Sequence, residues 1–249
     1  MRYFIDLSYN GTNFHGWQVQ PNAVTIQSLL NGCLSTLLKE EINCVGAGRT
    51  DTGVHAKQMI AHFDCDKTFN PKNLVSKLNA FLPKDIAIRS IRNVQSKAHA
   101  RFDAKKRTYV YKICSSKNVF EYDKSYFFKN KLDLGLMNEA CLIMMNYTNF
   151  ESFSRTNSDV KTFICHLSEA SWTEAKGFIY FKISADRFLR NMVRAIVGTM
   201  INVGVKKISL LEFDRIIQLK DRTKAGASAP SRGLYLTHID YNNSIFKDV

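Results

Sequence analysis

Two hydrophobic periods alternate along the chain, and their order restricts the fold more than any other feature. Met1–Ser8 (M-R-Y-F-I-D-L-S) alternates apolar and polar residues as a strand does. Thr25 then caps a stretch in which Ile26, Leu29, Leu30, Cys33, Leu34, Leu37 and Leu38 share one helical face. Ile42–Ala47 and Met59–Cys65 read as strands. Asn70-Pro71 opens a second helix with Leu74, Val75, Leu78, Phe81 and Leu82 as its buried stripe, and Asp85–Val94 returns as a strand. The order β-α-β-β-α-β is the split βαβ, or ferredoxin-like, unit. It recurs as a strand at Arg107–Cys114, a helix through Met137, Ala140, Cys141, Met144 and Met145, and strands at Thr162–Trp172 and Phe178–Ala185 around a Lys176-Gly177 turn. A helix over Arg187–Val203, an extra helix near Ser209–Leu219 and a last strand at Leu234–Ile239 complete it. The expected fold is α+β: two ferredoxin-like (RRM-like) halves, residues 1–104 and 105–249. Their sheets would join edge to edge into one extended, mainly antiparallel sheet with a central cleft. No residue-level repeat accompanies the duplication.

Charge narrows the partner. Thirty-five Lys and Arg against 22 Asp and Glu give a net +13, which favours a polyanion, with nucleic acid ahead of anionic membrane. Apolar runs are short and broken by charge, so no segment reads as transmembrane. The start carries Asp6 early and lacks the apolar core of a signal peptide, so a cytoplasmic location is expected. Cys33, Cys44, Cys65, Cys114, Cys141 and Cys165 never approach C-x-x-C spacing, which argues against a zinc site or a redox pair. They read as small buried residues in a reducing compartment.

The chemistry is concentrated in G-A-G-R-T-D-T-G-V-H-A, Gly46–Ala56. A turn is one reading, since Gly48 and Gly53 can take positive φ. Asp51-Thr52-Gly53 also spells the aspartic-protease D-T-G, but that chemistry needs a second carboxylate sharing one proton. The chain has no second D-T-G or D-S-G, and Arg49 would hold the acid ionised. The third reading is a lone ionised aspartate acting on nucleic acid. It needs a cation, an aromatic platform and a basic surface. Arg187, Arg190 and Arg194 stand at i, i+3 and i+7 of the expected helix, within about 60° of one another. Arg194 is set among apolar residues, where an arginine is seldom buried unless paired. Tyr109 and Tyr111 share a strand face behind Lys105, Lys106 and Arg107, a composition suited to base stacking, although at least one of the tyrosines is expected in the core.

At these residues the sequence resembles the tRNA pseudouridine synthase A family. The resemblance rests on Y-N-G-T-N-F-H-G-W-Q-V-Q-P (Tyr9–Pro21), G-A-G-R-T-D-T-G-V-H-A, A-R-F-D-A-K-K-R-T-Y-V-Y (Ala100–Tyr111), F-L-R-N-M-V-R-A-I-V-G (Phe188–Gly198) and A-G-A-S-A-P-S-R-G-L-Y-L (Ala225–Leu236). It implies an isomerase converting uridine to pseudouridine at positions 38, 39 and 40 of the tRNA anticodon stem-loop. It also implies no metal or organic cofactor, and a homodimer with clefts formed across the pair. Asp51 falls on the catalytic aspartate, Tyr109 on the stacking tyrosine and Arg194 on the arginine paired with the aspartate. Arg49 falls on an RNA-contacting arginine and Leu234 on an apolar residue lining the pocket. Arg107, Arg187 and Arg190 extend the expected substrate-binding set, with His55 as an RNA or loop-ordering contact. Asn146–Phe150 and Arg190-Asn191 depart from the family pattern, which puts the RNA contacts of the first loop in doubt. Attack on the sugar, attack on C6 of the base and formation of a glycal all remain open, as does a role for the Tyr109 hydroxyl in taking the C5 proton. The competing class is a tRNA-binding or RNA-chaperone protein without catalysis. Intact Asp51, Tyr109 and Arg194 argue against it.

Overall fold

The computed structural model describes residues 1–156 and 160–247. Two compact units emerge: Met1–Lys106 with Leu236–Val249, and Arg107–Tyr235. The last strand therefore does not belong wholly to the second half, as a division at 104/105 would have it. It begins in the second unit and runs on into the first.

The first unit is built on strands in the order β4 (Ile86–Asn93), β1 (Arg2–Tyr9), β3 (His55–Asp64) and β9 (Leu234–Tyr241), with the short β2 (Val45–Gly46) paired to β3. β1 lies antiparallel to both neighbours, Ile5 opposite Ala61 on one side and Ile91 on the other. Ile5, Leu7, Met59, Ala61 and Phe63 are fully buried, and the alternating Phe4, Ile60 and His62 are buried too, so both faces of these central strands are covered. Helix α1 (Ile26–Leu38) starts as its sequence says: Thr25 accepts from the Ser28 N–H, and Ser28 reaches back to the Thr25 N–H. Helix α2 (Pro71–Phe81) follows the Asn70 cap and buries Leu74 and Leu78, but Phe81, expected inside, is 55% exposed. The expected strand Ile42–Ala47 shrinks to the two residues of β2.

The second unit carries β5 (Ala104–Cys114, from Arg107 onward), β8 (Phe178–Ala185) and β7 (Leu167–Ala175), antiparallel in that order. The short β6 (Tyr126–Phe127) runs parallel to β5. The β7–β8 hairpin turns on Lys176 and Gly177, both at positive φ (52° and 77°), which suits the right-handed twist of the strands. β7 begins at Leu167 rather than Thr162; the residues before it make an isolated bridge, Asn149 to Ile164, and His166 O accepts the Asp186 N–H (3.2 Å). Helices α3 (Leu134–Met145), α4 (Met192–Gly204) and α5 (Leu210–Leu219) complete the unit. Trp172 stacks on Phe181 at 4.7 Å between ring centres, and its indole N–H meets Met200 of α4.

The fold is thus mixed α+β, with a mainly antiparallel sheet and five α-helices among the described residues. No helix among them is long and apolar enough to cross a membrane. All six cysteines are free and buried. Burial pushes the thiols of Cys141 and Cys165 up to about 12, which makes them poor nucleophiles and fits the packing role read from their spacing.

Candidate active site

Asp51 sits in the loop between β2 and β3, and that loop is held at almost every residue. The Ala47 N–H donates to Ile60 O (2.8 Å), the Val54 N–H to Asp51 O (3.1 Å) and the Gly53 N–H to Phe14 O (3.2 Å). The Thr50 carbonyl accepts from the Trp17 N–H (3.2 Å), and the Thr50 hydroxyl meets the buried Tyr9 hydroxyl at 2.8 Å. Most of these partners come from Tyr9–Trp17, so the first family-like motif is the brace of the second. Gly16 makes the approach possible: its φ is +82°, and a Cβ there would stand 2.3 Å from Thr50 O. Trp17, 1% exposed, fills the space beneath Gly46. Within the loop Gly53 takes positive φ (76°), whereas Gly48 does not. The loop is therefore fixed, with Asp51 half-buried between pinned peptides.

Two neighbours in the loop part company. Arg49 is exposed, and its Nε donates to Gln18 Oε1 (3.2 Å). His55 is only 2% exposed, and its Nδ1 accepts the Gly11 N–H (3.1 Å). Of the two roles expected for His55, loop ordering is the one its burial permits; an RNA contact needs a surface it does not have.

In the second unit, β5 presents Tyr109 half-buried, with the edge of Phe188 against its ring (5.1 Å, 87°). Tyr111 is the core member of the pair. It is fully buried, its hydroxyl donates to Pro230 O (2.7 Å), and burial holds its pKa well above the phenol range. The arginines need correction. Helix α4 starts at Met192, after Asn191 in the left-handed region (φ 66°). Arg187 and Arg190 precede the helix, so they do not share a helical face with Arg194, and the i, i+3, i+7 stripe does not exist. Arg187 instead donates its N–H to Asp186 Oδ1 (2.7 Å), and Arg107 Nη1 donates to Asp186 O (2.6 Å). Arg190 is exposed, and its carbonyl accepts from the Arg155 N–H (3.0 Å).

Arg194 lies in the first turn of α4, a position where a cation opposes the helix dipole. The Asn191 side chain donates to Ser228 Oγ (2.6 Å) rather than capping the helix, and the first turn holds no acidic residue. Both ends of Arg194 are tied to the segment after α5: Nε donates to Ala229 O (2.7 Å), and the Ala229 N–H donates to the Arg194 carbonyl (2.9 Å). Gly198 admits that segment, since a Cβ there would overlap Ala227 O at 1.8 Å. Arg222 holds its far side through Gly226 O and Ser228 Oγ. Leu234 follows at the start of β9, 6% exposed. The departing loop Asn146–Phe150 is structural in this chain: Phe150 is fully buried, and the Tyr147 hydroxyl donates to Asp214 (2.6 Å).

A family model described as tRNA pseudouridine synthase matches residues 7–103 and 147–242. The chain belongs to the tRNA pseudouridine synthase family. The matched stretches contain the brace, the Asp51 loop, Arg194 and Leu234, while β5 with Arg107 and Tyr109 lies between them. Proteins called tRNA pseudouridine synthase A are similar over nearly the whole chain. That of Bacteroides thetaiotaomicron is 47% identical, covering 99% of this chain and 93% of its own length. That of Parabacteroides distasonis is 48% identical over 98% of both. That of Clostridium acetobutylicum is 38% identical over 95% of this chain and 98% of its own. The family residues that periodicity missed are the supports: Tyr9, Gly16, Trp17 and Thr50 around the loop, and Gly198, Ser228 and Ala229 around Arg194. Their signal was present in the quoted motifs, but as glycines, small residues and buried aromatics rather than as chemistry.

Proposed function

We propose that this chain isomerises uridine to pseudouridine in the tRNA anticodon stem-loop, at positions 38, 39 and 40, with Asp51 as the catalytic carboxylate. The observation that carries the reading is the pinned, half-buried Asp51 in a basic member of this family. The relatives' name, tRNA pseudouridine synthase A, supplies the substrate class. The target base must leave the helical stack at a cost of about a few kcal/mol. Arg49, exposed beside Asp51, offsets that by filling the vacated place, and Tyr109 stacks on the displaced uracil. Arg194 is assigned, by the family resemblance, as the cation that partners the catalytic aspartate. Its place in the first turn of α4, where a cation is otherwise unfavourable, supports an anionic partner. Leu234 lines the base pocket, and Arg107, Arg187 and Arg190 follow the phosphates. Attack on C1′, attack on C6 and removal of the 2′ proton all start from the ionised aspartate. In each the N-glycosidic bond breaks, the uracil turns and C5 bonds to C1′; any bond made to Asp51 breaks again, or the 2′ proton returns, and the C5 proton leaves to a base, a role the Tyr109 hydroxyl is proposed to take.

The proposal includes two ferredoxin-like halves, a homodimer whose two clefts form across the pair, and a cytoplasmic location. Asp51→Ala is expected to abolish tritium release from 5-³H-uridine tRNA while leaving tRNA affinity within about a few fold, because a carboxylate among phosphates contributes little to binding. Pseudouridine mapping of the anticodon stem-loop after incubation fixes the positions. Substantial turnover by Asp51→Ala would refute the lone-acid assignment. A wild-type protein that binds tRNA and forms no pseudouridine would be a binder instead.

A further inference from the structure

The turn at Ala98–Asp103 holds an aromatic ring out into solvent. Phe102 is 74% exposed, yet its backbone is fixed. His99 Nδ1 accepts the N–H groups of Arg101 (3.1 Å) and Phe102 (3.3 Å). The His99 N–H donates to Asp103 Oδ2 (2.7 Å), and the Asp103 N–H returns to His99 O (3.0 Å). His62 Nδ1 accepts the Ala100 N–H (3.1 Å), and Arg2 Nη1 donates to Ala98 O (3.0 Å). A ladder of rings climbs out of the core. Buried His62 stands 4.5 Å from His99, and His99 stands 4.2 Å from Phe102 at a tilt of 33°. Burial, with Arg2 nearby, lowers the pKa of both histidines, so the imidazoles are neutral and free to accept these N–H groups. One face of Phe102 thus rests on a histidine, and the exposure lies on the rest of the ring.

The chemistry beside it is cationic. Arg101 is exposed, with its guanidinium carbon 5.7 Å from the Phe102 ring centre. Lys105 and Lys106 follow on β5, both exposed, with Lys106 paired to Asp240 (3.0 Å). Asp103 is turned to His99, and Asp64 is held by Arg2 (2.7 Å), so these carboxylates are engaged within the protein. An exposed aromatic on a rigid turn, flanked by cations, has the composition of a sequence-tolerant stacking platform for single-stranded nucleic acid. It is not the platform for the reacting base. The Asp51 carbonyl accepts the Val54 N–H just before β3 begins at His55, whereas the turn is bonded to His62, seven residues along that strand or about 23 Å.

We propose that Phe102 and Arg101 form a second nucleotide site: the phenyl ring stacks an unpaired base of the RNA substrate other than the target uridine, and the guanidinium meets an adjoining phosphate. This rests on the reading of the chain as a tRNA enzyme. The test uses the full-length protein and a tRNA transcript. Phe102→Ala is expected to raise Kd and KM by about 5- to 150-fold while kcat at saturating tRNA holds, the loss of one stacked base. Phe102→Trp should restore affinity, because any flat ring serves. Phe120→Ala, another exposed phenylalanine (83%), should leave Kd and KM unchanged. An abasic substitution at the stacked nucleotide should weaken wild-type binding and add nothing to Phe102→Ala. Unchanged Kd and KM in folded Phe102→Ala would overturn the site while leaving the enzyme reading intact. A fall in sedimentation mass in that variant would overturn it in favour of a contact between copies of the chain. Failure of the wild type to bind tRNA at all would overturn the site and the enzyme reading together.

Discussion

Gly16→Ala tests whether the brace positions the catalytic loop. The new Cβ would stand 2.3 Å from Thr50 O and 3.0 Å from the Asp51 carbonyl carbon. Ordinary contact begins near 3.4 Å, so the Thr50–Asp51 peptide must retreat by about 1.1 Å or Gly16 must move away from it. Either motion strains the Trp17 N–H to Thr50 O bond (3.2 Å). The alanine must also hold φ near +82°, at about 1–2 kcal/mol, and overpacking adds about 1–3, so a stability loss of about 2–5 kcal/mol is expected. A displacement of about 1 Å at Asp51, the proposed catalytic carboxylate, is expected to lower kcat on the order of 100-fold. Urea unfolding gives the first number. Single-turnover tritium release at saturating tRNA, below the unfolding transition, gives the second. The matched control is Gly32→Ala in α1, where no atom lies within 4 Å of the new Cβ. It should stabilise the protein by about 0.5–1 kcal/mol and leave kcat alone. A folded Gly16→Ala enzyme turning over within about threefold of the wild type would refute the idea that this contact sets the position of Asp51.

Tyr9→Phe removes the hydroxyl that meets Thr50 Oγ1 at 2.8 Å in a buried place, and should cost about 1–3 kcal/mol; adding Thr50→Val should recover much of it, as a urea double-mutant cycle would show. Arg194→Lys keeps the charge but loses the Nε–H donated to Ala229 O, and should lower kcat at least about tenfold with little change in KM, read by the same turnover assay. Acid stability carries a signature of His62. Burial first, then Arg2 and His99, lower its pKa to about 4, against about 6.5 in the unfolded chain. The unfolded state binds the extra proton, so stability is complete above about pH 6.5 and declines toward pH 4, by at most about 3 kcal/mol. Urea unfolding across that window should show the decline, and His62→Gln should flatten it.

Most elements were legible because their signals are local. Thr25, Asn70 and Ser209 cap the helices that follow them, and Phe178–Ala185 is the strand its alternation indicates. The failures share a cause. The helix expected from Arg187 begins at Met192 because Asn191 turns the backbone to φ 66°, and the hydrophobic period carries no mark of a single left-handed residue. The run Thr162–His166 is apolar enough for a strand, yet its backbone forms an isolated bridge at Asn149–Ile164 and a bond from the Asp186 N–H to His166 O, without a continuous ladder. Phe81 has the helical spacing of a core residue and lies in solvent at the end of α2, where the spacing cannot tell a last turn from a middle one.

The candidate site was legible in a different way. Asp51, Tyr109 and Arg194 could be picked out as candidate chemistry, but what holds them could not, since many of the supports are small residues acting through the backbone. Thr50 O beside Asp51 needs Gly16, and the Ala225–Pro230 segment that grips Arg194 needs Gly198. In both places a main-chain carbonyl approaches closer than any Cβ allows, and a side chain with chemistry is fixed by a segment remote in sequence. That makes a simple ordering of mutational sensitivity expected. Enlarging Gly16 or Gly198 should lower kcat more than truncating an exposed arginine such as Arg190, because the glycines set where the proposed catalytic groups stand, while Arg190 is proposed to add one phosphate contact among many. If Arg190→Ala proved the more damaging to kcat, positioning through these backbone contacts would not be what limits the chemistry.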